Sequence, residues 1–209
     1  MSYNPPEAVD AHDLPRGRVF AAHEMIGLGL RFFHVSLVLY AAGERLHSKD
    51  YRDRPQNNFF REPPPPKFLG DPKFENYRRL EMAFESVRQG FAPQAPSRRS
   101  AIFCFPCREC AVWFRDRSRT SGTLLELQPT STSSVFLTDL VWRNVASNVL
   151  GNEAWREPEF PFRVHSQARA LKRVAEAYWR GEDPRKFQLD TRPEALIVGE
   201  AVVVAEVGQ

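Results

Sequence analysis

Residues 30–40, read as LRFFHVSLVLY, are aromatic, β-branched or aliphatic except for Arg31 near the start and His34 and Ser36 in the middle. A run of this length and composition, free of glycine and proline, predicts a buried β-strand. An imidazole placed where such a strand should carry another Val or Ile has to be hydrogen-bonded, because an unpartnered polar ring in an apolar layer costs free energy. Taken alone, His34 therefore reads as a satisfied core histidine. Ser36 changes the weighting. Residues two apart point to the same strand face, so His34 and Ser36 present two hydrogen-bonding groups side by side, which suits the hydroxyls of a ligand.

The remaining composition sets the size of what this strand can join. With 209 residues, 42% hydrophobic and 12% aromatic, the chain has apolar material for one sizeable core. The expected layout is an irregular N-terminal arm over residues 1–29 and a single domain over residues 30–209. A formal charge of +3 gives no whole-chain field toward nucleic acid or membrane, so any such partner needs a local patch. No stretch reaches the roughly 20 apolar residues of a membrane span. Few basic residues and no compact apolar run mark the N-terminus, so no secretory signal is expected. Three cysteines within seven residues make a poor disulfide framework. The expected location is the cytoplasm, or outside it by a route that leaves no recognisable signal.

Residues 41–72 hold Gly43, Pro55, Asn57, Asn58 and four consecutive prolines at 63–66, a composition that favours a long extended loop. From Phe74 to Phe91 apolar residues recur at steps of three and four (Phe74, Tyr77, Leu80, Phe84, Val87), which predicts an amphipathic helix. Short strands are expected at 101–105, 124–127 and 135–137, with a helix over 107–117 that turns Ala111 and Phe114 inward. The strongest helical pattern is 165–180, with Ala168, Leu171, Val174 or Ala175, and Tyr178 on one stripe and Gly181 as its stop. Residues 195–198 and 201–207, parted by Gly199-Glu200, predict a terminal hairpin. Strands early, helices in the middle and strands at the end give an α+β fold with mostly antiparallel pairing.

Several side chains stand out for chemistry. Glu194 opens the penultimate strand, where a carboxylate is either an edge charge in water or a group facing a cleft. Phe103, Trp113 and Phe114 are aromatics of the kind that fill cores or flank a flat ligand. Cys104, Cys107 and Cys110 have the spacing of a metal motif, but a closed zinc site needs four ligands. No further cysteine exists, and no histidine has ligand spacing beside them, so no metal is expected. Arg98, Arg99, Arg115, Arg117 and Arg119 form either a solvated face or a basic lip for phosphates.

The order of three islands carries a resemblance: Phe33-His34-Val35-Ser36, then Ala101-Ile102-Phe103-Cys104 with Ala111 and Trp113-Phe114, then Pro193-Glu194-Ala195-Leu196-Ile197-Val198. It is similar to the signature of ADP-ribosyltransferases of the His-Tyr-Glu group, which includes the poly(ADP-ribose) polymerases and the bacterial rifamycin transferases. Leu137-Thr138-Asp139-Leu140, Ala177-Tyr178-Trp179-Arg180-Gly181-Glu182 and the expected final hairpin also resemble a little-characterised bacterial family of that fold.

The resemblance implies a mostly antiparallel split sheet with flanking helices. It further implies NAD as substrate, cleaved at the nicotinamide–ribose bond, with ADP-ribose passed to a protein, nucleic-acid or small-molecule acceptor. His34 would bond the ribose, Ser36 would support the pocket and Val35 would offer backbone groups to the carboxamide. Phe103 with Trp113 or Phe114 would stack on nicotinamide, and Glu194 would stabilise the oxocarbenium-like sugar. The five arginines would meet a macromolecular acceptor, the loop over residues 41–72 would choose it, and Tyr51 in that loop would supply an aromatic ring or hydroxyl to the pocket from another direction. A toxin, an effector, a defence factor and an antibiotic-modifying enzyme all share these features. Val35 stands where the family has Gly, and Phe103 where it has Tyr. Both departures also fit a catalytically inactive domain that binds a nucleotide or a protein.

Overall fold

The computed structural model describes residue 10, residues 12–49 and residues 65–207; Tyr51 and residues 50–64 of the long connection lie outside the described residues. Among the described residues, eight strands form two four-stranded antiparallel sheets. In chain order they are β1 (Val19–Ala21), β2 (Phe32–Ser36), β3 (Arg45–His47), β4 (Ile102–Cys104), β5 (Thr123–Pro129), β6 (Ser134–Asp139), β7 (Pro193–Val198) and β8 (Glu200–Glu206). One sheet runs β1-β6-β7-β4 and the other β2-β5-β8-β3. Five α-helices accompany them among the described residues: α1 (Ala22–Gly27), α2 (Pro72–Phe91), α3 (Arg108–Ser118), α4 (Leu140–Asn152) and α5 (Gln167–Arg180). The fold is α+β with antiparallel pairing throughout, as expected from the order of elements.

Strand alternation sets the layering. In the first sheet Val135, Leu137, Ala195, Ile197, Ile102 and Cys104 face the second sheet, where they meet Phe32, Leu46, Leu125 and Val203. The opposite face of the first sheet, with Phe136 and Leu196, packs under α2, α4 and α5 through Phe84, Trp142, Val174 and Trp179. Because β7 is covered on both faces, its five residues from Pro193 to Ile197 are all buried, Glu194 included. A third, smaller cluster sets Phe33, Val35 and Leu124 of the second sheet against Cys110 and Ala111 of α3.

Local chemistry explains the helix starts. Asp71 accepts from the Lys73 amide ahead of Pro72, and Ser166 accepts from the Arg169 amide, so both ends are capped by side-chain oxygens. Helix α4 begins at Asp139, which accepts from the Val141 and Arg192 amides and from the Thr191 hydroxyl. Burial pushes the Asp139 carboxyl above its ordinary range against those bonds.

Several expectations need correction. The arm over residues 1–29 is not wholly irregular: β1 pairs with β6, and α1 buries Ala22 and Met25. The strand expected over 30–40 stops at Ser36, leaving Leu37 and Leu39 exposed. Strand β3 lies inside the segment expected to be loop, where a three-residue edge strand has no periodicity to show. Ala168 is exposed, and it is Ala170 that faces the core on α5. Helix α4 carries Trp142, Ala146 and Val149 on one buried stripe behind an Asp cap, a readable signal that the sequence expectations left unused.

The terminal hairpin does not exist. Strands β7 and β8 belong to different sheets, and the single residue between them, Gly199, is the corner at which the chain changes sheet. Gly199 has φ +106°, and a Cβ there would lie 2.6 Å from Ser133 Oγ. That hydroxyl is already committed, donating to the Glu200 carbonyl at 2.7 Å and accepting from the Glu200 amide at 2.9 Å. Only glycine meets both demands. No helix among the described residues is long and apolar enough to cross a membrane.

Candidate functional site

Strands β2 and β4 are the facing edges of the two sheets, and one backbone bridge joins β2 to the residue just past β4. Phe33 and Phe105 exchange both backbone hydrogen bonds, each at 2.8 Å, after which the edges part. His34 fills the notch. Its Nδ1 lies 2.7 Å from the Phe103 carbonyl oxygen, and since a carbonyl only accepts, Nδ1 carries a proton and donates it there. The polar ring in an apolar strand is thus explained as a side chain standing in for the next ladder bond between two diverging sheets.

Beyond the notch opens a cavity of about 240 Å³. Among the described residues, β2 contributes His34 and Val35 to its lining, while β4 and the residue after it contribute Phe103 and Phe105. Helix α3 adds Phe114 and Ser118, and β7 adds Glu194. Four further lining residues were not expected in a site from the sequence: Tyr77 and Glu81 on α2, and Leu140 and Arg143 on α4. The sequence holds a sign of one of them, since Glu81 sits between Tyr77 and Phe84 on the apolar face of α2, where a carboxylate has no reason to be unless it is paired.

Its partner is Arg98. The Arg98 Nε donates to Glu81 Oε2 at 3.0 Å and its Nη1 donates to Glu194 Oε2 at 2.8 Å, while Arg143 Nε donates to Glu81 Oε1 at 3.1 Å. Tyr178, from α5, donates its hydroxyl to Glu194 Oε2 at 2.6 Å and also meets Arg98 Nη1. The Arg98 guanidinium lies over the Phe103 ring, 4.5 Å from its centroid. Glu194 and Arg98 are only 2% and 4% exposed, so these charges hold one another out of water. Burial drives the Glu81 carboxyl upward, but Arg98 and Arg143 together outweigh it and leave Glu81 below its ordinary range. Burial likewise opposes the charge on Arg98, and Glu81, Tyr178 and Glu194 more than compensate. The Tyr178 hydroxyl is pushed well up by burial and so stays a donor.

The fold therefore brings His34, Val35, Phe103, Phe114 and Glu194 to one cavity, from two sheets and a helix. Ser36 and Trp113 are not among its lining residues. The Ser36 hydroxyl donates to the Val38 carbonyl at 2.7 Å and accepts from the Val38 amide at 3.0 Å, closing the turn that ends β2. Trp113 is one residue from Phe114, about 100° round the helix, and lies against Arg117 and Arg192 instead.

The five arginines do not make one lip. Arg98 is buried in the carboxylate network, Arg119 donates to the Val35 carbonyl at 2.6 Å, Arg115 pairs with Asp116 at 3.0 Å and Arg117 covers Trp113. Arg99 remains at the exposed surface. The three cysteines, expected to be a poor disulfide framework, nonetheless yield one bond: Cys107 and Cys110 form a disulfide at the start of α3, while Cys104 is buried between the sheets. Neither the models of known protein families nor the curated proteins include a match to this chain.

Proposed function

We propose that this chain is an NAD-dependent ADP-ribosyltransferase whose cavity at the parting of the two sheets takes the nicotinamide–ribose end of NAD. The supporting observation is that His34 and Glu194, far apart in sequence and carried by different sheets, line one cavity together with Phe103 and Phe114. At about 240 Å³ the cavity is smaller than the roughly 300–1,000 Å³ of a whole-ligand site, which suits one end of an extended dinucleotide.

In this reading His34 Nε2 accepts from a ribose hydroxyl, with the ring fixed by its Nδ1 bond to Phe103. The aromatic walls position the nicotinamide ring. The glycosidic bond breaks with its electron pair leaving on the pyridinium nitrogen, so nicotinamide departs neutral and the positive charge moves to the sugar carbon. Glu194 stabilises that charge, and the acceptor nucleophile then bonds to the carbon and releases its proton.

Nicotinamide release from NAD, followed by chromatography, tests the assignment. Glu194→Gln is expected to lower turnover on the order of 10²–10³-fold with NAD binding retained. Turnover equal to wild type in that variant removes the mechanism.

A second reading has its own support. The Arg98–Glu194 ion pair at 2.8 Å already balances the carboxylate, as expected of a catalytically inactive domain that binds a nucleotide. Calorimetry separates the two readings: NAD and ADP-ribose binding with no nicotinamide release selects the second, and release selects the first.

A further inference from the structure

At the start of α3, His12 of the N-terminal arm reaches the disulfide pair. One ring nitrogen of His12 and the sulfurs of Cys107 and Cys110 all lie within 4.8 Å of one another. The His12 backbone is anchored on three sides: its amide donates to Asp10 Oδ1 at 2.8 Å, and its carbonyl accepts from Arg16 at 3.2 Å and from Arg185 at 3.4 Å. Arg16 is held in turn by Thr191 and Asp139. The imidazole is thus delivered to the sulfurs by a fixed backbone.

Cys107 is the N-cap of α3 and makes no side-chain cap hydrogen bond, and Cys110 follows one turn later on the same side. Two thiolates and an imidazole are a donor set that suits zinc, whose ligands are cysteine sulfur and histidine nitrogen in tetrahedral array. A divalent ion with two thiolates and a neutral imidazole carries no net charge. That matches the apolar neighbours of Cys110 in its cluster, Phe105, Ala111 and Leu140. Zn–S bonds of about 2.3 Å at the tetrahedral angle put two sulfurs about 3.8 Å apart, too far for a disulfide, so ion and disulfide are alternative states.

We propose that in the dithiol state His12, Cys107 and Cys110 bind one zinc-class divalent ion, with water in the fourth position. Two thiols of a cellular reductant enter the exchange and leave as a disulfide, returning Cys107 and Cys110 as thiols. The ion then displaces the two thiol protons. Bound there, it ties the N-terminal arm to the helix that presents Phe114 and Ser118 to the cavity.

The test uses the full chain, reduced with a dithiol, freed of it by anaerobic gel filtration and titrated with cobalt(II) as the spectroscopic stand-in for zinc. One equivalent is expected to produce thiolate-to-cobalt charge-transfer absorption and tetrahedral d–d bands, and zinc is expected to displace it one for one. His12→Ala is expected to weaken binding by more than about a hundredfold, beyond the loss from an outer-shell partner. Joint replacement of Cys107 and Cys110 by Ser abolishes the bands, and Cys104→Ser leaves the stoichiometry unchanged. Circular dichroism checks that each variant is folded. Reduced, folded wild-type protein without the charge-transfer band overturns the site, and a His12→Ala variant that binds as tightly as wild type overturns the ligand set. Oxidised protein is expected to bind none; equal binding before and after reduction also overturns the proposal.

Discussion

Arg98 holds two carboxylates at once, Glu81 through Nε and Glu194 through Nη1, in a setting nearly closed to water. Removing one member of such a group leaves uncompensated buried charge, so Arg98→Met is expected to cost about 3–5 kcal/mol in urea unfolding. Arg98→Lys recovers only part of that, because an ammonium cannot span both carboxylates and cover the Phe103 ring. The pH dependence follows from Glu81. Its folded-state carboxyl titrates below the ordinary 4.5, so its contribution is complete above that pH and is lost as pH falls through the lower folded value. Urea unfolding across acid pH is therefore expected to show a loss of wild-type stability below about pH 4.5 that is shallower in Glu81→Gln. At the cavity, His34→Ala is expected to raise the KM for NAD roughly tenfold. Ser36→Ala, whose hydroxyl serves the turn at Val38, is expected to leave KM unchanged and to cost about 1 kcal/mol of stability.

Among the elements, the Gly199 corner is sensitive to a single added methyl group. Gly199→Ala combines a positive φ with a contact of 2.6 Å on Ser133 Oγ and is expected to lower the unfolding free energy by more than about 1 kcal/mol, read from denaturant midpoints. Replacing Ser133 by Ala as well is expected not to restore it, since the φ penalty stays and the Glu200 backbone loses its partner.

The same corner shows what the residues could and could not say in advance. Helices α2 and α5 were legible because their apolar stripes repeat over nearly four turns or more, and β2 because eight of the eleven residues from Leu30 to Tyr40 are apolar or aromatic, the run being broken only at Arg31, His34 and Ser36. Residues 195–207 read as a hairpin because two apolar runs around Gly-Glu carry the local signal of a turn, and sheet membership is not a local property. The cavity was half legible for the same reason. His34 and Glu194 stand out as polar residues in apolar strands, but Glu81, Arg98 and Arg143 take their meaning from one another across three separate elements, and no spacing rule links them.

At the scale of the whole molecule, strand pairing is remote almost everywhere. The shortest link between paired strands, Asp139 to Pro193, already encloses α4 and α5, and β2 meets β5 across all of α2 and α3. Both sheets also place a late strand in an interior position: β7 lies between β6 and β4, and β8 between β5 and β3. During synthesis, then, β4 waits for β7 to join it to the β1–β6 pair, and β3 waits for β8 to join it to the β2–β5 pair. A nascent chain that ends before Pro193 has neither sheet joined, and its strand edges stay open to chaperones and to one another. Completion of both sheets therefore follows translation of the last two strands, whatever pairs form before them.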